Sequence, residues 1–536
     1  MSSSAHSHPA ARLGLAVGVS LVLLISSLPG AVSARPGPAQ PGRIDPDLYT
    51  QAAANPSGKV RVIITRERSG SKDDDVRQTG GNVVHKLQIA NGTAAEVPAS
   101  ALEALAAQPG VVRVSYDAPL QVQSLDPVSN CCAQLQTAYP LAVGAASQWN
   151  APRSLRGTGV GVAILDSGVQ GRHPDFQNAG LLGSRVLQVL NGITGSAGSG
   201  QDDNGHGTFV AGIVGGRGWG VPGLVPSGSY IGTAPDANII SVKVADKTGM
   251  AYVSDVIAGI EWVARNRQAN NVRVLNLSLV SNTADSYRTD MLDAAVELAW
   301  FQGLVVVVAA GNAGANAAIT APANDPFAIV VGATDDKGTA TTADDSVATF
   351  SSRGTTVDLL SKPDLVAPGR HLVSTLSSPT APLALAFPAR VMGGGTYIGL
   401  SGTSAAAPVV SGVVAQLLQA RPDLSPGQVK WLLTQTAQPV AGAGGGAGYP
   451  NLAAAVKYPY HVFNANAGLL PNRYLLAAYL AKVGKTWNSV SWDSVSWDSV
   501  SWDSVSWDSV SWDSVSWDSV AWDSVAWDSA AWLPAD

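Results

Sequence analysis

The chain has 536 residues, too many for one compact domain and enough for about three or four structural units. Charged residues make up 13% and hydrophobic residues 46%, so charge-driven disorder is excluded for the bulk of the chain and a large core is available. The net charge is −6 and no basic stripe is present, which argues against nucleic acid as a partner.

At the N-terminus, Arg12 precedes an apolar run, residues 13–28, and small residues follow at Ala31, Ser33 and Ala34. This is the pattern of an export signal over 1–34 with cleavage after Ala34. An uncleaved anchor is the alternative, although the run is short for a spanning helix. Export predicts a secreted or extracellular protein, soluble or held at the cell surface. Residues 35–57 are Pro-rich and read as a linker. Over 58–121 the pattern is strand (60–64), helix, strand (82–87), strand, helix (98–108), strand (111–114), a small α+β unit with split βαβ order. Residues 122–138 read as a loose connection. It carries the only two cysteines, Cys131 and Cys132, which are adjacent and cannot form a disulfide framework.

From 139 to 456 the pattern changes. Short apolar runs at 160–165, 239–244, 272–277, 304–309 and 329–331 alternate with helical stretches at 253–264, 290–301 and 405–419. Fully apolar strands between helices predict an α/β unit with a mostly parallel sheet covered on both faces, and functional groups at the C-terminal ends of its strands. Residues 457–485 read as a connector. In 486–536 Trp recurs every five residues, in a unit close to Ser-Val-Ser-Trp-Asp, with nine Asp and no Lys, Arg or Glu. A period of five fits neither a helix face nor one face of a strand. A square solenoid, a disordered sticky segment, and a device for binding a cell surface or glycan are all open for this tail.

Three segments carry chemistry. A buried strand ends at Asp166, in Leu165-Asp166-Ser167-Gly168; an acid held there can orient an imidazole. His206 lies between Gly205 and Gly207 at the start of a helical run. Ser404 lies in Ser401-Gly402-Thr403-Ser404-Ala405-Ala406-Ala407-Pro408, just before a helix, where open backbone N–H groups favour negative charge. Taken singly, these residues read as a turn acid, a core histidine and a helix cap.

Together, in the order Asp, His, Ser, the DSG, HGT and GTSxAxP wording resembles the subtilisin-like serine proteases, over about residues 139–456. The resemblance implies a three-layer α/β subtilisin-like fold with a mostly parallel central sheet, preceded by a ferredoxin-like inhibitory propeptide at 58–121. It implies a serine endopeptidase of broad specificity with Asp166, His206 and Ser404 as triad, acting on protein or peptide substrates and inhibited by its own propeptide. Ala309-Ala310-Gly311-Asn312 resembles the stretch bearing the oxyanion Asn, so Asn312 and the Ser404 N–H are the candidate oxyanion donors. Gly249, Met250 and Ala251 on one side, and Ser278 and Leu279 on the other, with Gly311, are the candidate substrate-binding residues. A non-catalytic surface or glycan-binding protein using the same domain as scaffold is the competing reading. An esterase of the α/β-hydrolase kind is disfavoured by the absence of G-x-S-x-G around Ser404.

The sequence departs from the family in three places. Val280 stands where a Gly is usual at the pocket mouth, and Ala313 where many members carry an acid; both predict a narrower pocket that favours apolar residues of modest size before the cut. Ala405 replaces the usual Met after the nucleophile, which removes an oxidisable thioether and predicts tolerance of peroxide. The chemistry needs no cofactor. Structural calcium is an open expectation: His173-Pro174-Asp175-Phe176 resembles a calcium-ligating segment, but calcium wants six to eight oxygens and no further ligand is named.

Overall fold

A computed structural model describes residues 44–66, 73–89, 91–122, 138–178, 183–191, 196–197, 200–315 and 317–476. The export signal, both cysteines, most of the 122–138 connection and the Trp-repeat tail lie outside these residues.

The sheet of the larger unit has nine strands. From one edge they run Ser346–Val347, Ile329–Asp335, Val305–Ala309, Val272–Leu277, Gly161–Asp166, Asn238–Lys243, Val186–Asn191 and Ser196–Ala197, and Leu365–Pro368 adds to Ile329–Asp335. The central pairings are parallel, and only the two short edge strands are antiparallel. Gly161–Asp166 and Val305–Ala309 are buried at every position, as expected for strands covered on both faces. Helix Thr403–Ala420 lies across the middle strands and packs on helix His206–Gly215, while Val253–Asn266 packs on Met291–Phe301. Asp290, read from the sequence as helical, is instead the N-cap of Met291–Phe301 and accepts from Leu292 N and Asp293 N.

The smaller unit follows the order β-α-β-β-α-β: Lys59–Arg66, Asp73–Gln78, Asn82–Leu87, Gly92–Pro98, Leu102–Ala106 and Val111–Tyr116. Its four strands are antiparallel where they pair, with Lys59–Arg66 between Gly92–Pro98 and Val111–Tyr116. The stretch read as linker is corrected in part. Pro46–Ala54 is a helix, with Asp45 as N-cap and Pro46 at its first position, and Leu48 is fully buried in the small unit's core. The connector boundary moves as well: Tyr474, Leu475 and Leu476 are buried in the large core, so packing continues past 456.

The two units belong to one compact body. Val60, Val62 and Ile64 point into the small unit's own core, whereas Ile63, Leu87, Ile89 and Ala94 join the large core. The small sheet therefore buries its second face against the large unit, along helix Val253–Asn266.

Candidate active site

Asp166 ends its strand with a fully buried carboxylate. His206 is the first residue of helix His206–Gly215, and its Nδ1 lies 2.8 Å and 3.0 Å from the two Asp166 oxygens. The ring is 1% exposed, so this pair operates away from bulk water, where a charge interaction is strong. The flanking glycines follow from the geometry. Gly205 has φ +109°, and a Cβ on Gly207 would sit 2.1 Å from Gly168 O.

Asp202, which the sequence reading missed, anchors this corner. It accepts from Gly205 N (2.7 Å), Thr208 N (2.8 Å) and the Ser167 hydroxyl (2.8 Å), capping the helix that presents His206. Burial pushes its carboxyl up, against the donors of Thr208, Gly205 and Ser167 that pull it down.

Ser404 lies in the first turn of helix Thr403–Ala420 and is 2% exposed. Its N–H lies at the start of that helix, where the helix dipole favours negative charge. Pro408 sits inside the same helix, four residues on, and cannot donate to Ser404 O. The Ser278 hydroxyl does so instead, at 3.1 Å. Ser278 accepts from Asn276 Nδ2 (2.9 Å), and Asn276 Oδ1 accepts from Ser411 Oγ (2.8 Å). The P in GTSxAxP thus leaves a carbonyl that ties the nucleophile's turn to the substrate edge. Asn276 and Ser411 were also missed; no sequence motif marks either.

Asn312 Oδ1 accepts from Thr403 N (2.8 Å) and Thr403 Oγ1 (2.9 Å), which fixes the amide orientation because a backbone N–H can only donate. Its Nδ2 is buried and has no hydrogen-bond partner among the described residues. A buried donor left open beside a helix start is costly unless a passing anion takes it. Gly311 N donates to Thr403 Oγ1 (3.1 Å), completing the link between the two segments. A Cβ on Gly311 would meet Val280 Cγ2 at 3.9 Å, so Val280 narrows the space beside it.

The candidate substrate edges face each other across an occupied groove. Pro119–Val122 is the middle strand of a three-stranded antiparallel sheet, between Met250–Tyr252 and Leu279–Ser281. Met250, Ala251 and Leu279 lie in those edges; Gly249 and Ser278 immediately precede them. Leu120, in the inserted strand, is fully buried, which is worth about 1.5–3 kcal/mol for such a side chain.

The small unit is fastened beside this groove by polar contacts. Asp117, fully buried, accepts from Ser254 N (2.9 Å), Ser254 Oγ (2.8 Å) and Arg61 Nε (2.8 Å), so it caps helix Val253–Asn266 from the other unit. Arg61 stacks 3.6 Å over the Tyr252 ring. His85 Nε2 lies 2.6 Å from Asp255 Oδ1, and Ile89 N donates to Glu261 Oε1 at 2.9 Å.

The calcium expectation at Asp175 does not fit the residues present. Its oxygens accept from Trp219 N (2.9 Å), Gly218 N (3.2 Å) and Tyr397 OH (3.1 Å), which leaves little for a cation. Among the described residues, no group of three or more His, Cys, Asp or Glu is placed to hold a metal ion.

A parallel α/β sheet brings Asp166 and His206 together, and a groove beside the turn of Ser404 holds an extended strand. Comparison with known proteins assigns the family. Residues 157–458, more than half of the chain, match the model of the subtilase family. Serine protease AprX of Bacillus subtilis (strain 168) is 40% identical over 288 residues, 52% of this chain and 62% of AprX. Subtilisin E of the same strain is 30% identical over 404 residues, 73% of this chain and 88% of that protein. The crystal structure of fervidolysin from Fervidobacterium pennivorans, a keratinolytic enzyme related to subtilisin, superposes with a TM-score of 0.56 at 25% identity, covering 75% of this chain and 61% of that one. The chain spans less than two thirds of the length of AprX and of fervidolysin. It belongs to the subtilase family, whose members are subtilisin-like serine endopeptidases.

Proposed function

We propose that this chain is a secreted serine endopeptidase in which Asp166, His206 and Ser404 form the triad. The observation that carries the reading is the occupied groove: a peptide strand lies between Met250–Tyr252 and Leu279–Ser281, beside the residue that holds Ser404.

In this mechanism Asp166 accepts from His206 Nδ1–H, which leaves Nε2 as the base. Nε2 takes the Ser404 hydroxyl proton as Oγ attacks the scissile carbonyl, then delivers it to the leaving amine. Water repeats the cycle on the acyl-enzyme. The oxyanion is held by Asn312 Nδ2, whose other amide atom is pinned by Thr403, and by Ser404 N–H. Substrates bind by strand addition, so backbone hydrogen bonds supply affinity and sequence preference is broad. Val280 restricts the residue before the cut to modest apolar side chains.

The unit at 58–121 acts as an inhibitory propeptide, supported by its contacts along Val253–Asn266 and by the strand it leads into the groove. The export-signal pattern supports an extracellular location, and the Trp-repeat tail is the part suited to hold the enzyme at a cell surface or glycan. The test is hydrolysis of an unstructured protein such as denatured casein by the purified chain and by Ser404→Ala. Hydrolysis by the first alone supports the reading, and equal hydrolysis by both contradicts it.

A further inference from the structure

Helix Met291–Phe301 carries two acids that the catalytic mechanism does not use. Asp293 and Glu297 share one face of the helix, and Asp325, in the loop before strand Ile329–Asp335, lies near enough to repel both. All three are fully buried. Both Asp293 oxygens, Glu297 Oε1 and Asp325 Oδ2 have no hydrogen-bond partner among the described residues. Three bare carboxylates cannot be kept there, because buried charge without a partner is strongly disfavoured. A neutral carboxyl supplies the missing donor, since its O–H can reach an open oxygen of a neighbour.

Among the described residues, the groups that face these acids do not neutralise them. Lys362, and Lys430 on helix Pro426–Gln435, flank Asp325, but their ammonium protons go to Asp325 O, Pro326 O, Ala328 O and the Asp364 carboxylate. Asp290 at the helix start adds like charge, with Asp285 and Asp358 beyond it. Burial pushes the Tyr287 phenol up, so it stays neutral. Arg288 lies over the Tyr287 ring, and Arg473 donates to Tyr474 OH. The three acids are not placed to hold a metal ion together. Burial, with Asp290 and Asp325 beside it, holds the Asp293 carboxyl well above the usual range; burial and Asp325 do the same for Glu297, and burial pushes Asp325 up to about 7.

Segment 470–476 is fastened over these acids. Asn472 N donates to Glu297 Oε2 (2.7 Å), Asn472 Nδ2 to Asp290 O (2.8 Å), Arg473 N to Arg288 O (3.0 Å) and Tyr287 OH to Leu470 O (3.1 Å). Tyr474, Leu475 and Leu476 are buried beside these bonds. We propose that Asp293, Glu297 and Asp325 share protons at neutral pH and so clamp segment 470–476, and that alkaline pH removes the protons and lets the segment lift. The folded carboxyls keep protons that unfolded ones lose. This stability is therefore fully present below about pH 4 and is lost as pH rises through the raised folded values, about 7 for Asp325. The clamp does not depend on the endopeptidase reading.

The experiment is hydrogen exchange read by mass spectrometry on the full chain carrying Ser404→Ala, which keeps self-digestion out of the measurement. Protection of segment 470–476, corrected for base-catalysed exchange, is followed from neutral to alkaline pH. It should fall about tenfold per pH unit for each proton lost, while strand Gly161–Asp166 keeps its protection. Glu297→Gln keeps an oxygen for Asn472 N–H and removes one proton site, and Asp293→Asn removes another. Each should make the fall shallower by one proton and change protection little at neutral pH. A flat profile, a fall equally steep in both variants, a loss spread over the whole chain, or protection set by added calcium and chelator instead of pH would each overturn the proposal. If the variants do not fold, the infrared spectrum of the Ser404→Ala chain decides. The C=O stretch of neutral carboxylic acids should be present at neutral pH and disappear in step with the loss of protection, and its absence at neutral pH overturns the proposal.

Discussion

The nine-stranded sheet is covered by helices of its own unit, whereas the four-stranded sheet is covered on one face by its own helices and on the other by the larger unit. The strand Lys59–Arg66 shows this directly: Val60, Val62 and Ile64 serve the local core and Ile63 serves the shared one. The large unit holds its site together through bonds within itself, from Asp202 to the His206 helix and from Ser278 to Ser404. The small unit places a buried acid, Asp117, under a helix of its partner. The difference teaches that the candidate site is held together within one unit, whereas the strand that fills its groove is held by the seam between two.

The comparison can be broken at the site first. Ser404→Ala and His206→Ala are each expected to lower turnover by about 10⁶, a magnitude measured on subtilisin itself and transferred here. The double variant should be no slower than either, because the residues act as a unit; steady-state peptide hydrolysis checks this. Asn312→Ala should cost about 10²–10³ in kcat with KM little changed, again on subtilisin's scale, since Nδ2 has nothing to hold until the oxyanion forms.

At the seam, Asp117→Ala leaves Arg61 without its carboxylate and opens the cap of Val253–Asn266. Breaking a buried pair costs about 3–5 kcal/mol, so the cut propeptide should be held roughly 10²-fold or more weakly. Gel filtration after maturation should show it lost from the enzyme, with full activity appearing sooner. Asp117→Asn, which keeps an acceptor for Ser254, should fall between.

Smaller effects sharpen the picture inside the large unit. Val280→Gly should raise kcat/KM for peptides with Phe or Tyr before the cut by about 10-fold and leave small residues nearly unchanged, as expected for removing apolar bulk worth 1–3 kcal/mol. Burial, with Asp345 and Asp335 nearby, raises the Asp336 carboxyl to about 7 from 3.8, even though it accepts from Gly338 N. The stability tied to its proton is fully present below about pH 4 and lost as pH rises through about 7. Asp336→Asn should therefore stabilise the enzyme at pH 8 by on the order of 1–3 kcal/mol and change little at pH 4, read by denaturant melts at the two pH values.

Much of this was legible before any coordinates because the relevant signals are local. Apolar strands without alternation, glycines around His206 and the GTSxAxP run each state a backbone requirement within a few residues. The fold order of the small unit was legible for the same reason. What failed was either misweighted or long-range. Pro46–Ala54 was read as linker because prolines dominate nearby, although Asp45 and Pro46 are a helix start signal. Asp202 bonds the nearby Gly205 and Thr208 as well as Ser167, and Asn276 bonds Ser278 as well as the distant Ser411, but no motif marks any of these residues. The sequence leaves calcium open with no ligand assigned, and the Asp175 carboxylate is taken up by three donors from two distant segments. The insertion of Pro119–Val122 between two edges more than 100 residues away could not be read from four residues of modest strand character.

The central claim is that His206 activates Ser404. A fluorophosphonate probe followed by peptide mapping tests it most directly. A single adduct on Ser404 is predicted in the wild-type chain freed of its propeptide, with labelling slowed by several orders of magnitude in His206→Ala although Ser404 remains. An adduct on another serine, or undiminished labelling of Ser404 without the imidazole, would contradict the account.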